Sequence, residues 1–181
     1  MRFLTLPLPG ARLVELEPIE DERGFFARAW CPDEFSREGL DARVAACNVS
    51  FNRRALTLRG MHYQAAPHGE AKLVRCTAGA IHDVIVDLRP SSPTYCRWHA
   101  VELSAGNRLA LYVPAGFAHG FLTMSEASEV LYLMSRPHMP EAARGVRWDD
   151  PHFGIEWPAQ PRIISRRDEE YPDYEPDGPG A

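Results

Sequence analysis

Sixteen prolines and thirteen glycines interrupt this 181-residue chain so often that few stretches could hold three helical turns. Between the breaks lie short apolar runs rich in Val, Leu, Tyr and Phe, which is the pattern of strands bounded by turns. Ten such runs are read as strands, at 11–17, 24–30, 43–51, 56–63, 71–76, 80–88, 96–103, 108–113, 118–123 and 129–134. The one helical stretch is Pro32-Asp33-Glu34-Phe35-Ser36-Arg37-Glu38. Turn chemistry supports the division. Thr77-Ala78-Gly79 and Ser104-Ala105-Gly106-Asn107 read as hairpin turns, and Arg89-Pro90-Ser91-Ser92-Pro93 as a proline-fixed loop. So many short strands in one chain of this length predict an all-β fold, a sandwich or closed jelly-roll barrel with short peripheral helices. A single domain is expected over 1–170. The Pro-, Asp- and Gly-rich end, 171–181, has the composition of a flexible tail.

Charge and cysteine content narrow the function classes. A net charge of -5 with no Lys/Arg cluster argues against nucleic acid or an anionic membrane surface as partner. A small anion remains open, since it needs only a few arginines. The N-terminal stretch is too short and proline-broken for a signal peptide, and no run approaches a membrane span, so a cytoplasmic protein is expected. Cys31, Cys47, Cys76 and Cys96 lack metal-ligand spacing and are read as reduced thiols.

The chemistry concentrates in Leu58-Arg59-Gly60-Met61-His62-Tyr63-Gln64. Side chains alternate along a strand, so Arg59 and His62 share a face only if a bulge or twist near Gly60 intervenes. A buried arginine beside a titratable base then suggests a bound anion with a proton-transfer group at hand. A second element, Val113-Pro114-Ala115-Gly116-Phe117-Ala118-His119, uses a fixed turn to deliver His119 to a strand start, as in the second cupin motif; the alternative is a hydrogen-bonded core histidine. Lys72 is in phase with Val74, so it faces the core if Val74 does, and an inward lysine calls for an anion; otherwise it snorkels at an edge. Tyr132, in Val130-Leu131-Tyr132-Leu133-Met134, is a core aromatic or an acid. Together a base, a cation and an acid meet the needs of inverting a carbon next to a carbonyl. A carboxylate would fix the tautomer of the base, and Asp168 is the candidate.

With these residues assembled, the chain resembles the dTDP-4-dehydrorhamnose 3,5-epimerase family of nucleotide-sugar epimerases. The resemblance runs from Asp21-Glu22-Arg23-Gly24-Phe25-Phe26 to Asp168. Its most specific pieces are the segment around His62, Ala71-Lys72-Leu73-Val74-Arg75, Asp83-Val84-Ile85-Val86-Asp87-Leu88-Arg89, the segment around His119, and Gly145-Val146-Arg147-Trp148-Asp149-Asp150-Pro151. It implies a cupin-like jelly roll, a homodimer that exchanges strands or loops, no metal and no other cofactor. It also implies roles. His62 matches the proton-abstracting base, Asp168 its partner, Tyr132 the opposing acid, and Lys72, helped by His119, the group that stabilises the enolate or holds the sugar. Arg23 and Arg59 match diphosphate- and substrate-binding positions, Arg23 being offered to the neighbouring subunit. Arg28, Asn48, His138 and Arg167 complete the expected substrate-binding set.

The chain also departs from the family pattern. Arg28 replaces a glutamate, Ala46-Cys47-Asn48 stands for Gln-Asp-Asn, Ala143 replaces a glutamate, and His138 occupies the place of a tyrosine that stacks on thymine. The expectation is therefore a 4-keto-6-deoxy sugar epimerase on a nucleoside-diphosphate sugar, dTDP-linked by default, with CDP or GDP as alternatives. Two rivals are a metal-dependent cupin enzyme using His62, His119 and His82 or Glu70, and a non-catalytic sugar-binding jelly roll. The missing His-x-His pair, with Tyr63 and Gln64 after His62, weighs against the first.

Overall fold

The computed structural model describes residues 1–176. Thirteen strands form two facing sheets and a small ribbon. One sheet has the order β1(Arg2–Thr5), β2(Arg12–Glu15), β10(Ala110–Val113), β7(Lys72–Ala78), β12(Ser128–Met134), β5(Ala46–Asn52). The other runs β13(Ala143–Gly145), β6(Leu58–Gln64), β11(Phe117–Thr123), β8(Ala80–Asp87), β9(Trp98–Ser104). The pairings between named strands are antiparallel, and the two sheets close over a shared interior as a cupin-like jelly roll. The ribbon pairs β3(Ile19–Asp21) with β4(Gly24–Phe26).

Alternation along the strands explains the layering. Val74 and Cys76 of β7, Ile81 and Ile85 of β8, Leu111 and Val113 of β10, Phe121 of β11 and Val130 of β12 point inward and fill one end of the barrel. Their neighbours point outward, yet they too are apolar, because both outer faces are covered. The first face is covered by α1(Pro32–Arg37), whose Phe35 packs on Val14, Leu73, Ala110 and Tyr112 and meets Phe3 edge to face at 5.0 Å. The other is covered by the 146–157 segment, through Val146, Phe153 and Trp157 over Met61, Val84 and Ala118.

Several elements differ from the sequence reading. The run at 24–30 keeps strand geometry only over Gly24–Phe26, and β1, β3 and β13 were not anticipated. The ribbon strands are exposed along their whole length, so they carry no alternation of burial to read. Residues 171–176, expected as free tail, pack on the barrel. The Tyr174 ring packs tilted against that of Phe153 at 5.0 Å, its hydroxyl meets that of Tyr95 at 2.8 Å, and Asp173 pairs with Arg147 at 2.6 Å. Aromatic rings and a carboxylate give that segment surface to bury despite its prolines. The remainder of the expected tail, 177–181, lies outside the described residues.

Candidate active site

The register of β6 against β11 builds the site. His62 faces His119 and Arg59 faces Phe121, so three steps along β6 match two along β11. One extra residue on β6 is a bulge, and it turns Arg59 and His62 onto the same face, with Met61 packed on the outer side. Gly60 permits this. Its φ is +137°, and a Cβ there would lie 2.5 Å from the Cα of Gly120 on the neighbouring strand.

A cavity of about 280 Å³ opens at this end of the barrel, lined by Asn48, Arg59, His62, Lys72, His119 and Tyr132 among others. The residues come from both sheets: Arg59, His62 and His119 from one, Asn48, Lys72 and Tyr132 from the other. An adjoining cavity of about 380 Å³ shares Arg59 and His62 and adds Thr57, Arg167 and Asp168. Arg59 is exposed rather than buried as expected, because it lies where the two cavities meet and open to solvent; its Nε donates to Asn52 Oδ1 at 2.7 Å.

Each imidazole has its own carboxylate. His62 Nε2 lies 2.7 Å from Asp168 Oδ1, and Asp168 Oδ2 also accepts the Gly60 N–H at 3.3 Å. Burial pushes the Asp168 carboxyl up, but the hydrogen bond and charge of His62, with the donors of Gly60 and Ser165, outweigh it and hold Asp168 below the usual carboxylate range. His119 Nε2 lies 2.9 and 3.0 Å from the two oxygens of Asp83, with both residues buried. Lys72 faces inward with Val74, buried, and its Nζ donates to the His62 carbonyl at 3.1 Å. The Tyr132 ring meets His119 edge to face at 6.2 Å, and burial drives its phenol well above the ordinary tyrosine pKa. It is therefore a neutral O–H at neutral pH.

Other expected residues stand apart from the cavity. Arg28 pairs with Glu34 at 2.7 Å on the surface, and His138 is exposed on a loop that Gln64 fixes by accepting the Met139 N–H at 2.6 Å and donating to the Pro137 carbonyl at 3.3 Å. Arg23 projects from the ribbon with its side chain 85% exposed, held only by Asp21. The donor set of the metal-cupin rival is not assembled: His82 points to the outer face of β8, edge-on to Trp157 at 6.0 Å, and Glu70 pairs with Lys72.

Asp83, Asn52 and Tyr171 were not singled out from sequence. Asp83 was legible as a charged residue in phase with inward Ile81 and Ile85. Asn52 carried no such signal. Tyr171 lies edge-on to His62 at 6.3 Å in space left by Gly145, where a Cβ would come within 2.2 Å of the ring. The helix α2(Arg166–Glu169), which carries Asp168, was readable from Ser165, whose side chain accepts the Asp168 N–H at 3.1 Å as a helix cap.

Comparison with known proteins follows the same lines. The family model described as dTDP-4-dehydrorhamnose 3,5-epimerase matches residues 5–175. The enzyme of that name from Sinorhizobium fredii is 39% identical over 173 residues, covering 95% of this chain and 89% of its own. A Bacillus anthracis structure of that name, with TDP and PPi bound, superposes with a TM-score of 0.92 at 36% identity, covering 96% of this chain and 99% of its own. A 3'-monoepimerase from Streptomyces bikiniensis in complex with dTDP-quinovose gives 0.85 at 34%, covering 93% and 85%.

Proposed function

The chain belongs to the dTDP-4-dehydrorhamnose 3,5-epimerase family, and we infer that it inverts C3, C5 or both of a nucleoside-diphosphate-linked 4-keto-6-deoxy sugar. The reaction runs by proton abstraction next to the ketone and reprotonation through an enolate, in deoxysugar biosynthesis. The observation that carries the residue roles is that the imidazole and the phenol belong to opposite sheets facing one cavity. A sugar ring lying between the sheets meets a base on one face and an acid on the other.

In this reading His62 removes the C–H proton, with Asp168 fixing its tautomer and balancing the imidazolium that forms. Lys72, with His119 beside it, stabilises the enolate oxygen as charge develops there. Tyr132 returns a proton on the opposite face, and its raised pKa keeps that proton available. Arg59 is the cation of the cavity whose partner is a neutral amide, so its charge is left to meet a diphosphate, with Arg167 over the adjoining cavity. Arg23 would serve the site of a second subunit. A homodimer suits the exposed apolar residues Ile19, Phe26, Val49 and Phe51 on the ribbon and on edge strand β5. The nucleotide is dTDP by default. His138 and Arg28 depart from the family pattern at positions that the resemblance assigns to the nucleotide, so CDP and GDP are the alternatives.

The test is NMR of dTDP-, CDP-, GDP- and UDP-linked 4-keto-6-deoxy sugars incubated with the protein in deuterium oxide. Deuterium is expected at C3, C5 or both, abolished in His62→Ala and retained with impaired inversion in Tyr132→Phe. Binding without exchange would favour the sugar-binding reading, and full activity of the His62 variant would end the assignment.

A further inference from the structure

Lys72 is the only lysine in the chain; the other nineteen of its twenty basic Lys and Arg residues are arginines. It is also the one ammonium placed inside the barrel, 6% exposed, where a charge is expensive to keep. The bases around it show how the structure meets such costs. His62 is backed by Asp168 and His119 by Asp83, the carboxylates approaching at 2.7 and 2.9 Å. Lys72 has its counterpart in Glu70, from the connection between β6 and β7, whose Oε1 lies 3.3 Å from Nζ. Glu70 is itself buried, at 8% exposure, and its Oε2 makes no hydrogen bond to a described residue. A buried carboxylate with half its acceptor capacity unused is committed to that one cation.

We propose that Glu70 is a positioning residue of the epimerase site, holding the Lys72 ammonium charged and directed at the place where the enolate oxygen forms. This rests on the reading of the site given above. The other carboxylates near Lys72 are already engaged: Asp41, which lines a small cavity together with Lys72, is paired with Arg43. Asp83 on β8 is already shared by both its oxygens with His119 on β11; His62 offers a carbonyl; Arg59 on β6 is a cation; Tyr132 on β12 is neutral. Burial draws the Lys72 pKa down, and Glu70, with a smaller contribution from Asp83, opposes that fall. An ammonium stabilises the enolate only while protonated, so activity dependent on it is present below the Lys72 pKa and lost above it. Removing Glu70 lowers that pKa and must move the basic limb of the rate profile to lower pH.

A single lysine makes this directly observable. Selective 15N labelling of lysine in the full-length protein yields one Nζ resonance, whose titration reports Lys72 without reference to activity. In Glu70→Gln the Nζ pKa should fall by about one unit or more, with a smaller fall in Glu70→Asp, which keeps the charge but draws it back. The basic limb of solvent-deuterium exchange should follow the same shifts, while the acidic limb stays in place. An unmoved Nζ pKa would overturn the proposal, and so would a lowered Nζ pKa with an unmoved limb or a uniform loss of rate at all pH values. If Glu70→Gln does not fold by circular dichroism, Glu70→Asp carries both readouts with the same criteria. Absence of exchange in the unsubstituted protein would count against the epimerase reading alone, since the Nζ titration still decides whether Glu70 governs Lys72.

Discussion

Asp168 illustrates what one side chain contributes when its surroundings are specified. It is buried, capped through its own N–H by Ser165, and bonded to His62 Nε2 and the Gly60 N–H at once, so it cannot turn away from the imidazole. Asparagine keeps the shape but offers an amide where a carboxylate stood, and either the tautomer or the charge balance of His62 is lost. Asp168→Asn is expected to slow deuterium exchange by about 10²- to 10⁴-fold with little change in substrate affinity, measured as separate kcat and KM values. A comparable fall in affinity with kcat intact would show that Asp168 serves binding instead. At this scale the sequence was informative about residue types. Lys72 stood out by phase, His62 and His119 by their motifs and Tyr132 only in their company, and all four line one cavity. Arg28 and His138 entered through resemblance alone, and neither reaches it.

The elements carry the geometry that residues cannot. An odd separation of Arg59 and His62 signals opposite faces in a regular strand, and the bulge on β6 reverses that reading. The bulge depends on two backbones meeting at Gly60 and Gly120, where a Cβ on Gly120 would also fall 2.8 Å from the Arg59 carbonyl oxygen. Gly60→Ala should therefore destabilise the fold by about 1–3 kcal/mol or more, seen as a lower thermal midpoint, and should weaken exchange as His62 leaves its place. An unchanged midpoint would mean that the strand absorbs a side chain there. The glycine was visible in the sequence as a possible pivot. Which residue it would bring into register with His119 was not, because strand pairing is long-range.

On the scale of the whole molecule, apolar surface is left over after both outer faces of the barrel are covered. Val49 and Phe51 lie 59% and 52% exposed on β5, the edge strand of its sheet, close in kind to what association between copies requires. Val49→Asp combined with Phe51→Asp should convert the proposed homodimer to monomer in sedimentation experiments, and activity should fall if Arg23 serves a second subunit. A protein that is monomeric before substitution would remove that role. What the sequence determined by itself was the class of fold and the kind of chemistry. Prolines and glycines set short strands, alternation set inward and outward faces, and an imidazole, an ammonium and a phenol together made proton transfer at carbon the expectation, all of them local properties. Local pattern did not decide which carboxylate stands behind which base: Asp168 was expected behind His62 through resemblance alone, and only the tertiary structure decided that Asp83 stands behind His119. Asp168 reaches His62 across 106 residues, and Asp83 reaches His119 across 36, through sheet register and a one-turn helix. Such pairings depend on the closure of the barrel, and no local pattern encodes the distance between two strands that meet only when it closes.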